Sequence, residues 1–246
     1  MLFLSKIRSI EGWLSDHEAQ WLYQMARQLC GRAEVVEIGS WKGKSTVALA
    51  CGIQDAGARR KVTAIDPHRG ELVNRRKRER STYWEFIRNL KRAGVYALVR
   101  PVVKSSLRAS QNWHSPIALL FIDGLHDYRH AKADYLDWEK FVTDHGIIAW
   151  HDGFCGLPGV WQAVKEVFLT ADLKEIGTIG SILYGVKGKP NPWQKILLRQ
   201  KINLIKLAQR IHSQQLPEFF EFWLIHRLVR LLLLNRYTLS AYFYEK

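Results

Sequence analysis

Short apolar runs alternate with segments of helical periodicity along most of this chain. The apolar runs predict strands that begin at Val35 and then span 61–67, 97–104, 117–123 and 146–150. Apolar side chains at helical spacing between and after them predict helices over 44–55, 83–93, 128–143 and 160–170. The fourth and fifth strands are apolar throughout, which is typical of parallel strands covered on both faces. The alternation therefore predicts an α/β fold with a mostly parallel sheet.

Two helix starts carry a capping signature. Ser15 is followed three residues later by Glu18, and Thr82 is followed in the same way by Glu85. In a capping box the hydroxyl accepts a hydrogen bond from the backbone of the first turn, and the acid accepts one from the capping residue. We therefore expect one helix to begin after Ser15, with Gly31 ending it, and a second to begin after Thr82.

The turn after the first strand, in VVEIGSWKGKST at 35–46, is the strongest functional signal. Gly39 and Gly43 can adopt backbone angles that a side chain would forbid, so the backbone can approach a ligand closely. A P-loop needs four residues between its first glycine and Gly-Lys-Ser/Thr, whereas only three lie here. A dinucleotide fingerprint fails as well, because Trp41 stands where its second glycine is required.

Glu37, directly before this turn, suits a ligand that carries hydroxyls and positive charge rather than a triphosphate. Asp66 ends the second strand about twenty residues after the turn, where an acid meets ribose hydroxyls in Rossmann-type folds. Ser105 and Ser106 end the third strand and are candidates for an adenine edge. A strand-to-helix turn without a ligand remains the alternative.

These segments resemble class I S-adenosylmethionine-dependent methyltransferases, within them the family that includes macrocin O-methyltransferase and cephalosporin hydroxylase-like proteins. The resemblance covers approximately residues 10–188. It rests on EIGSWKGKST at 37–46, IDPH at 65–68, LLFIDGLHDYRHAKADYLDW at 119–138 and GIIAWHD at 146–152, with GWLS at 12–15 and PGVWQAV at 158–164. The family usually has an acid where Leu125 stands, which weakens any catalytic or metal role of that missing carboxylate.

The resemblance implies a Rossmann-like, doubly wound, mostly parallel seven-stranded sheet with an antiparallel last strand. Segments 173–177 and 181–186 fit strands six and seven, since they predict a hairpin around 178–180 without an intervening helix. The implied cofactor is S-adenosyl-L-methionine. Its expected contacts are Glu37, Gly39, Ser40, Trp41, Gly43, Ser45, Thr46, Asp66, His68, Ser105, Ser106 and Asp123.

The catalytic candidates follow strands four and five, namely Asp123, His126, His151 and Asp152. Methyl transfer to a hydroxyl requires the removal of one proton, and an imidazole titrates near neutral pH, so His126 or His151 is a candidate general base. In some relatives a magnesium-type ion is held by acids at the places of Asp123 and Asp152. His151 departs from that acidic pattern, and the metal is left open.

Two other interpretations of these segments are weaker. His126 and His130 are four residues apart, but the Glu of HExxH is absent between them and no third zinc ligand is evident. The LLFID strand resembles a Walker B strand, yet the turn that would be its P-loop is one residue short. Both a zinc hydrolase and an NTPase are therefore disfavoured.

Composition favours an intracellular enzyme. The chain has 246 residues, 47% of them hydrophobic, and its three cysteines are unclustered, which argues against a disulfide framework or a thiolate metal site. The first ten residues are too short and too charged for a signal peptide, so we expect a cytoplasmic protein. There are 37 Lys and Arg against 23 Asp and Glu, and RRKRER at 75–80 either attracts an anionic substrate or forms a solvated loop.

The composition changes near residue 190. Segment 193–212 has a basic stripe opposite an apolar one, and FFEFWLIHRLVRLLLL after Pro217 is interrupted too often by charge for a comfortable membrane span. We therefore divide the chain into a methyltransferase domain, 1–189, and a basic amphipathic helical extension, 190–246. The extension would pack against protein, including in a homo-oligomer, or lie on an anionic membrane at the inner face.

The sequence thus predicts an S-adenosylmethionine-dependent methyltransferase that acts on an oxygen of a small molecule or glycan. An RNA methyltransferase is favoured only by charge, and nucleic acid is the less favoured partner. A non-catalytic, membrane-associated binding protein that retains the fold is the alternative of another class.

Overall fold

A computed structural model describes residues 2–69, 81–154 and 157–213. Its centre is a seven-stranded sheet in the order β3-β2-β1-β4-β5-β7-β6. The strands are β1 Glu34–Ile38, β2 Val62–Ile65, β3 Val99–Val102, β4 Ile117–Ile122, β5 Val142–Trp150, β6 Leu173–Ile179 and β7 Ile182–Lys187. The first five are parallel, and β7 runs antiparallel to both β5 and β6. The predicted Rossmann-like sheet is confirmed.

Eight helices accompany this sheet in the described part of the chain. They are α1 Leu2–Arg8, α2 Asp16–Gln28, α3 Lys44–Asp55, α4 Tyr83–Arg92, α5 Ser106–Ser110, α6 Tyr128–Trp138, α7 Pro158–Thr170 and α8 Pro192–Ser213. One apolar cluster joins one face of the sheet to α2 and α3, and it includes Leu22 and Leu49. A second joins the other face to α6 and α7 through Trp138 and Val164. Because both faces are covered, the central strands carry apolar side chains in both directions.

The strand order reverses between β1 and β4. From β1 the chain adds β2 and β3 on one side, and the next strand, β4, returns to the other side of β1. Ile38 at the end of β1 lies beside Ile122 at the end of β4, so the turns that follow these strands are neighbours. In open α/β sheets ligands bind in the crevice at this position.

The helix predicted over 128–143 is too long. α6 ends at Trp138, a 3-10 turn spans Glu139–Phe141, and β5 already begins at Val142. Val142 fits the helical spacing, but it pairs with Ile117 of β4 and is buried in the sheet. Burial of Val142 in the sheet has therefore outweighed the helical spacing of apolar residues in the local sequence.

One of the two predicted capping boxes is wrong. Ser15 and Glu18 form the box as expected, with the Glu18 carboxylate accepting from the Ser15 amide at 2.8 Å. Thr82 stands at the start of α4 without a side-chain cap, because its hydroxyl pairs with Nδ1 of His68 at 2.9 Å. The Thr82 hydroxyl therefore pairs with a buried residue distant in sequence instead of with the backbone of its own helix.

The last hairpin is confirmed, with a first strand that is longer than predicted. β6 continues to Ile179 and β7 begins at Ile182, so the turn contains only Gly180 and Ser181. Gly180 has a φ of 56°, which suits a tight turn of this kind.

α8 follows the sheet directly. Ile202 and Ile205 are buried, and Lys201 donates from Nζ to the carbonyl of Ile176 in β6 at 3.1 Å. The division of the chain near residue 189 remains a prediction. The basic segment 75–80, Cys155 and the apolar segment after Pro217 lie outside the described residues.

Candidate active site

The glycine turn is shaped by the protein itself. Gly39 has a φ of 86°, and a Cβ there would overlap the carbonyl oxygen of Asp123. Gly43 has a φ of 90° at the start of α3, where a Cβ would lie 2.9 Å from Phe86. Both glycines are therefore required by contacts within the protein, with the backbone after β4 and with a side chain of α4. The turn after β1 consequently rests directly on the turn after β4. The predicted close approach of these glycines to a ligand remains a prediction.

Asp66 fixes the conformation of this turn. Its Oδ2 accepts from the amides of Ser40 at 3.0 Å and Trp41 at 2.7 Å, and its Oδ1 accepts from the amide of His68 at 2.6 Å. The predicted acid thus lies at the predicted turn, with a structural task that the sequence did not reveal. Its contact with a ribose remains a prediction.

Three buried polar atoms at the turn have no hydrogen-bond partner among the described residues. They are Oε1 of Glu37, Oγ of Ser40 and Nε1 of Trp41. Unpaired buried polar groups are costly, so their presence together indicates a place where a polar ligand binds. The set contains an acceptor, a hydroxyl and an N–H donor within five consecutive residues.

Glu37 is completely buried at the end of β1. The hydroxyl of Thr46 donates to its Oε2. Burial raises the pKa of Glu37 to about 8, while hydrogen bonds from Ser45 and Thr46 oppose this change and Asp123 adds to it. A cationic ligand beside Oε1 would favour the ionised carboxylate.

The other predicted cofactor residues have different partners. The His68 ring is buried against Thr82 and Phe86, and burial lowers its pKa. Ser105 caps α5 by accepting from the amide of Arg108, whereas Ser106 donates to the buried Asp134. The adenine role expected for the two serines therefore remains a prediction, and in the structure their hydroxyls serve α5 and α6.

Left-handed backbone is concentrated at this edge of the sheet. Among the described non-glycine residues with positive φ, Trp41, His68 and Asp152 follow β1, β2 and β5, with φ values of 39°, 50° and 53°. His145 is the fourth and lies within β5. Such conformations cost free energy for residues with a Cβ and cluster at functional sites.

The four catalytic candidates converge, as the parallel sheet requires. His126 Nε2 is 3.4 Å from Oδ1 of Asp123 and 3.4 Å from Oδ2 of Asp152. His151 Nδ1 is 3.3 Å and 3.2 Å from the same two oxygens. The two imidazoles therefore share one pair of carboxylates. His126 is 34% exposed, whereas His151 is only 4% exposed.

Glu18 completes this cluster, although sequence reasoning treated it only as a capping residue. Its Oε2 lies 3.7 Å from Nε2 of His151, and its Oε1 accepts from the amide of Ser181 at 2.6 Å and from the Ser181 hydroxyl at 2.8 Å. Burial alone would raise the pKa of Glu18, but the nearby His151 and hydrogen bonds from Ser15 lower it to about 2. Glu18 is only 3% exposed in the structure. The capping pattern identifies it as an acid at a helix start, but that pattern does not reveal its burial.

Both nitrogens of His151 face carboxylates, Nδ1 toward Asp123 and Asp152 and Nε2 toward Glu18. Burial would lower the pKa of His151, but these three acids hold it well above its ordinary value. In the other direction, His151 and His126 overcome the effect of burial and lower the pKa of Asp123 to about 2. The cluster is therefore an internal ion network centred on His151.

Three residues of this cluster could offer ligand atoms to a metal ion. Asp123, His126 and Asp152 each offer one ligand atom, and these atoms lie within 4.8 Å of one another. However, His151 already supplies a cation to both carboxylates, and hard divalent ions prefer sites composed of oxygen ligands. The donor set therefore does not fit a magnesium-type ion well.

Comparison with known proteins agrees with the fold. Residues 36–153, from β1 to the turn after β5, match a family described as "Methyltransferase domain". The predicted resemblance to methyltransferases is confirmed over this segment, which includes the glycine turn, Asp66 and the four catalytic candidates.

Solved structures of similar fold include O-methyltransferases with low sequence identity. TomG from Streptomyces achromogenes, solved with SAM, is 19% identical, with a TM-score of 0.53 over 72% of this chain and 82% of its own. An O-methyltransferase from Bacillus cereus, solved with SAH, is 17% identical, with a TM-score of 0.55 over 76% and 91%. CalS11, a TDP-rhamnose 3'-O-methyltransferase of calicheamicin biosynthesis, is 17% identical, with a TM-score of 0.53 over 72% and 82%.

Proposed function

We propose that this protein transfers a methyl group from S-adenosylmethionine to a hydroxyl oxygen of a small molecule or glycan. One observation carries the proposal. Gly39 in the glycine turn packs on the backbone of Asp123, so the partnerless polar atoms of the turn and the catalytic cluster meet at the same crevice.

The residues of the turn fit the proposed cofactor. S-adenosylmethionine carries an ammonium and a sulfonium, and when bound it supplies a methyl group that is already activated for transfer. Glu37 would face its positive charge, while Ser40 and Trp41 would provide hydrogen bonds. Asp66 would hold the turn in position, and its remaining lone pairs are suited to ribose hydroxyls.

His126 is the side chain best suited to accept the proton of the acceptor hydroxyl. The O–H bond must break as the oxygen forms its new bond to carbon, so a base has to lie beside that oxygen. His126 is accessible and is oriented by Asp123 and Asp152. His151 is unsuited to this task because both of its nitrogens face acids in the interior, and it would instead keep the two aspartates in place.

Exposed aromatic side chains near the glycine turn favour a sugar-like acceptor. Trp13, 70% exposed, stacks on Trp41 with ring centroids 4.9 Å apart, and Trp84, 75% exposed, follows Tyr83 at the start of α4. Flat apolar surfaces of this kind pack well against the apolar faces of sugar rings. The sugar substrate in the description of CalS11 points the same way.

The remaining partner expectations have less support. Among the described helices, none is long and apolar enough to span a bilayer. Oligomer formation through the C-terminal helices, peripheral membrane contact and a cytoplasmic location remain proposals. RNA is favoured by the net charge of +14 alone.

The test has two stages. Calorimetry should show binding of S-adenosylmethionine and of its demethylated product, and tighter binding of ATP or NAD would contradict the proposed cofactor. Methyl-labelled cofactor should then be supplied with small-molecule glycosides, sugar nucleotides and RNA, with and without exhaustive chelation. Label that enters only RNA would refute the acceptor class, and activity abolished by chelation and restored by a divalent ion would refute the metal-free site.

A further inference from the structure

α8 has one face that belongs to the core of the protein. Ile202 and Ile205 are 3% and 2% exposed, and Lys201 reaches the backbone of β6. These contacts fix the helix against the sheet domain. Because this face is buried, the opposite face of α8 points away from the sheet domain.

The opposite face of α8 is apolar and exposed. Trp193, Ile196, Leu197 and Leu207 are 77%, 50%, 54% and 43% exposed. At about 100° per residue these four positions form a single stripe roughly opposite Ile202 and Ile205. We call them the exposed stripe. A helix that only covered a protein core would need one apolar face, whereas α8 has two.

The charge of α8 identifies the kind of surface that would cover the exposed stripe. The helix contains five Lys and Arg and no Asp or Glu. Lys195, Arg199 and Lys206 fall on one side of the helix, between its buried face and the exposed stripe. An apolar stripe flanked by cations is typical of helices that lie in the interface of an anionic membrane.

The other candidate occupants lack complementary charge. A second copy of this chain would bring the same cationic helix. Segment 214–246 contains four Lys and Arg against three Asp and Glu, so it offers no excess of negative charge either. A bilayer with anionic lipids supplies both the negative charge and the apolar layer.

We propose that α8 docks this protein on the surface of a membrane that contains anionic lipids, through the exposed stripe and the adjoining cations. The proposed contact is peripheral, with α8 lying along the membrane surface. The inference does not depend on the proposed methyl transfer.

Vesicle co-sedimentation of the full chain tests this proposal. Vesicles of phosphatidylcholine alone are compared with vesicles containing about one quarter phosphatidylglycerol, at about 0.1 M salt and at several times that concentration. The wild type should bind the anionic vesicles and lose most of this binding at high salt. The paired substitution Ile196→Gln/Leu207→Gln and the paired substitution Lys195→Glu/Arg199→Glu should each weaken binding at least about tenfold.

Matched controls separate docking from general surface effects. Leu136→Gln/Leu169→Gln removes two equally exposed leucines on α6 and α7, and Lys61→Glu/Arg88→Glu makes the same change in net charge away from α8. Both controls should bind at least several-fold more tightly than the corresponding α8 variants, and circular dichroism should show that all four variants are folded. Equal binding by α8 variants and controls, or absence of wild-type binding, would overturn the proposal. So would a wild-type dimer that the Ile196→Gln/Leu207→Gln variant converts to a monomer, because the stripe would then be a protein interface.

Discussion

Replacement of the buried Glu37 by glutamine should remove a specific pH dependence of stability. Glu37 has its pKa raised from 4.5 to about 8, principally because it is completely buried. Since the folded state then binds the proton more tightly than the unfolded state, the free energy of unfolding falls as the pH rises. The sensitive window runs from pH 4.5, the ordinary value for the unfolded chain, to about 8 in the folded protein. Below this window the carboxyl is neutral in both states, and above it the full cost of the buried charge is present.

The size of the effect follows from the width of this window. Each pKa unit corresponds to about 1.36 kcal/mol, so a change from 4.5 to about 8 corresponds to about 4.8 kcal/mol in the free energy of unfolding. Relaxation around the ionised group makes this an upper limit. Glutamine has nearly the same shape as Glu37 and retains a carbonyl oxygen for the Thr46 hydroxyl, but it cannot ionise.

Urea unfolding monitored by tryptophan fluorescence should be performed from pH 5 to pH 8 on the wild type and on Glu37→Gln. The variant should gain stability relative to the wild type as the pH rises, with a slope approaching about 1.4 kcal/mol per pH unit. The matched control is Glu34→Gln, on the same strand, whose carboxylate pairs with Arg100 at the surface and whose removal should not reproduce that slope. A difference between Glu37→Gln and the wild type that does not change with pH would refute the reasoning about the buried charge.

Three further substitutions test the roles of individual side chains. Asp66→Ala should weaken binding of S-adenosylmethionine by about 1–3 kcal/mol in calorimetry, and it should also lower the free energy of unfolding, because the turn amides of Ser40 and Trp41 lose their acceptor. An unchanged affinity would show that Asp66 supports neither the turn nor the cofactor. His126→Ala should lower kcat by roughly 10²–10⁴-fold in a methyl-transfer assay with little change in cofactor affinity; a larger loss in affinity than in kcat would assign it to the donor side. Glu18→Gln should destabilise the protein by about 3–5 kcal/mol at pH 7, because the buried His151 loses a charged partner. As the pKa of Glu18 is lowered to about 2, its contribution is present above pH 4.5 and is lost as the pH falls toward 2, so wild type and variant should converge in acid. A constant difference across that range would contradict the ion-pair argument.

Most of the fold could be predicted because the relevant patterns are local. Parallel strands covered on both faces are recognised by apolar content alone, as at Ile117–Ile122. Their common direction then brings residues after each strand to one edge, which is why Asp123 and Asp152 were expected to converge and do so. The overlong α6 shows where local reasoning fails. Val142 suits either a helix or a strand, and only the adjacent Ile117 decides between them.

The network within the site could not be predicted in the same way, because its partners are distant in sequence. Glu18 and Ser181 are separated by 163 residues, yet the two join α2 to the β6–β7 turn. That turn is also linked to the backbone after β5, since the amide of Phe154 donates to the carbonyl of Ser181 at 2.9 Å. The capping box of α2 therefore has two functions: it starts a helix, and it presents an acid to His151. A sequence pattern can identify the first function, but the second depends on a contact that exists only in the folded protein.

The pairing of opposite charges around His151 explains why the site contains so many ionisable groups in a confined space. The charges of Asp123 and Asp152 face the buried His151, and Glu18 faces the other nitrogen of the same ring. Separate burial of these charges would cost several kcal/mol each, whereas a network of alternating sign offsets much of that cost. The arrangement leaves His126 as the imidazole on the accessible side of the two aspartates. The interior histidine thus stabilises the carboxylates, and the accessible one is the base that we propose for proton transfer.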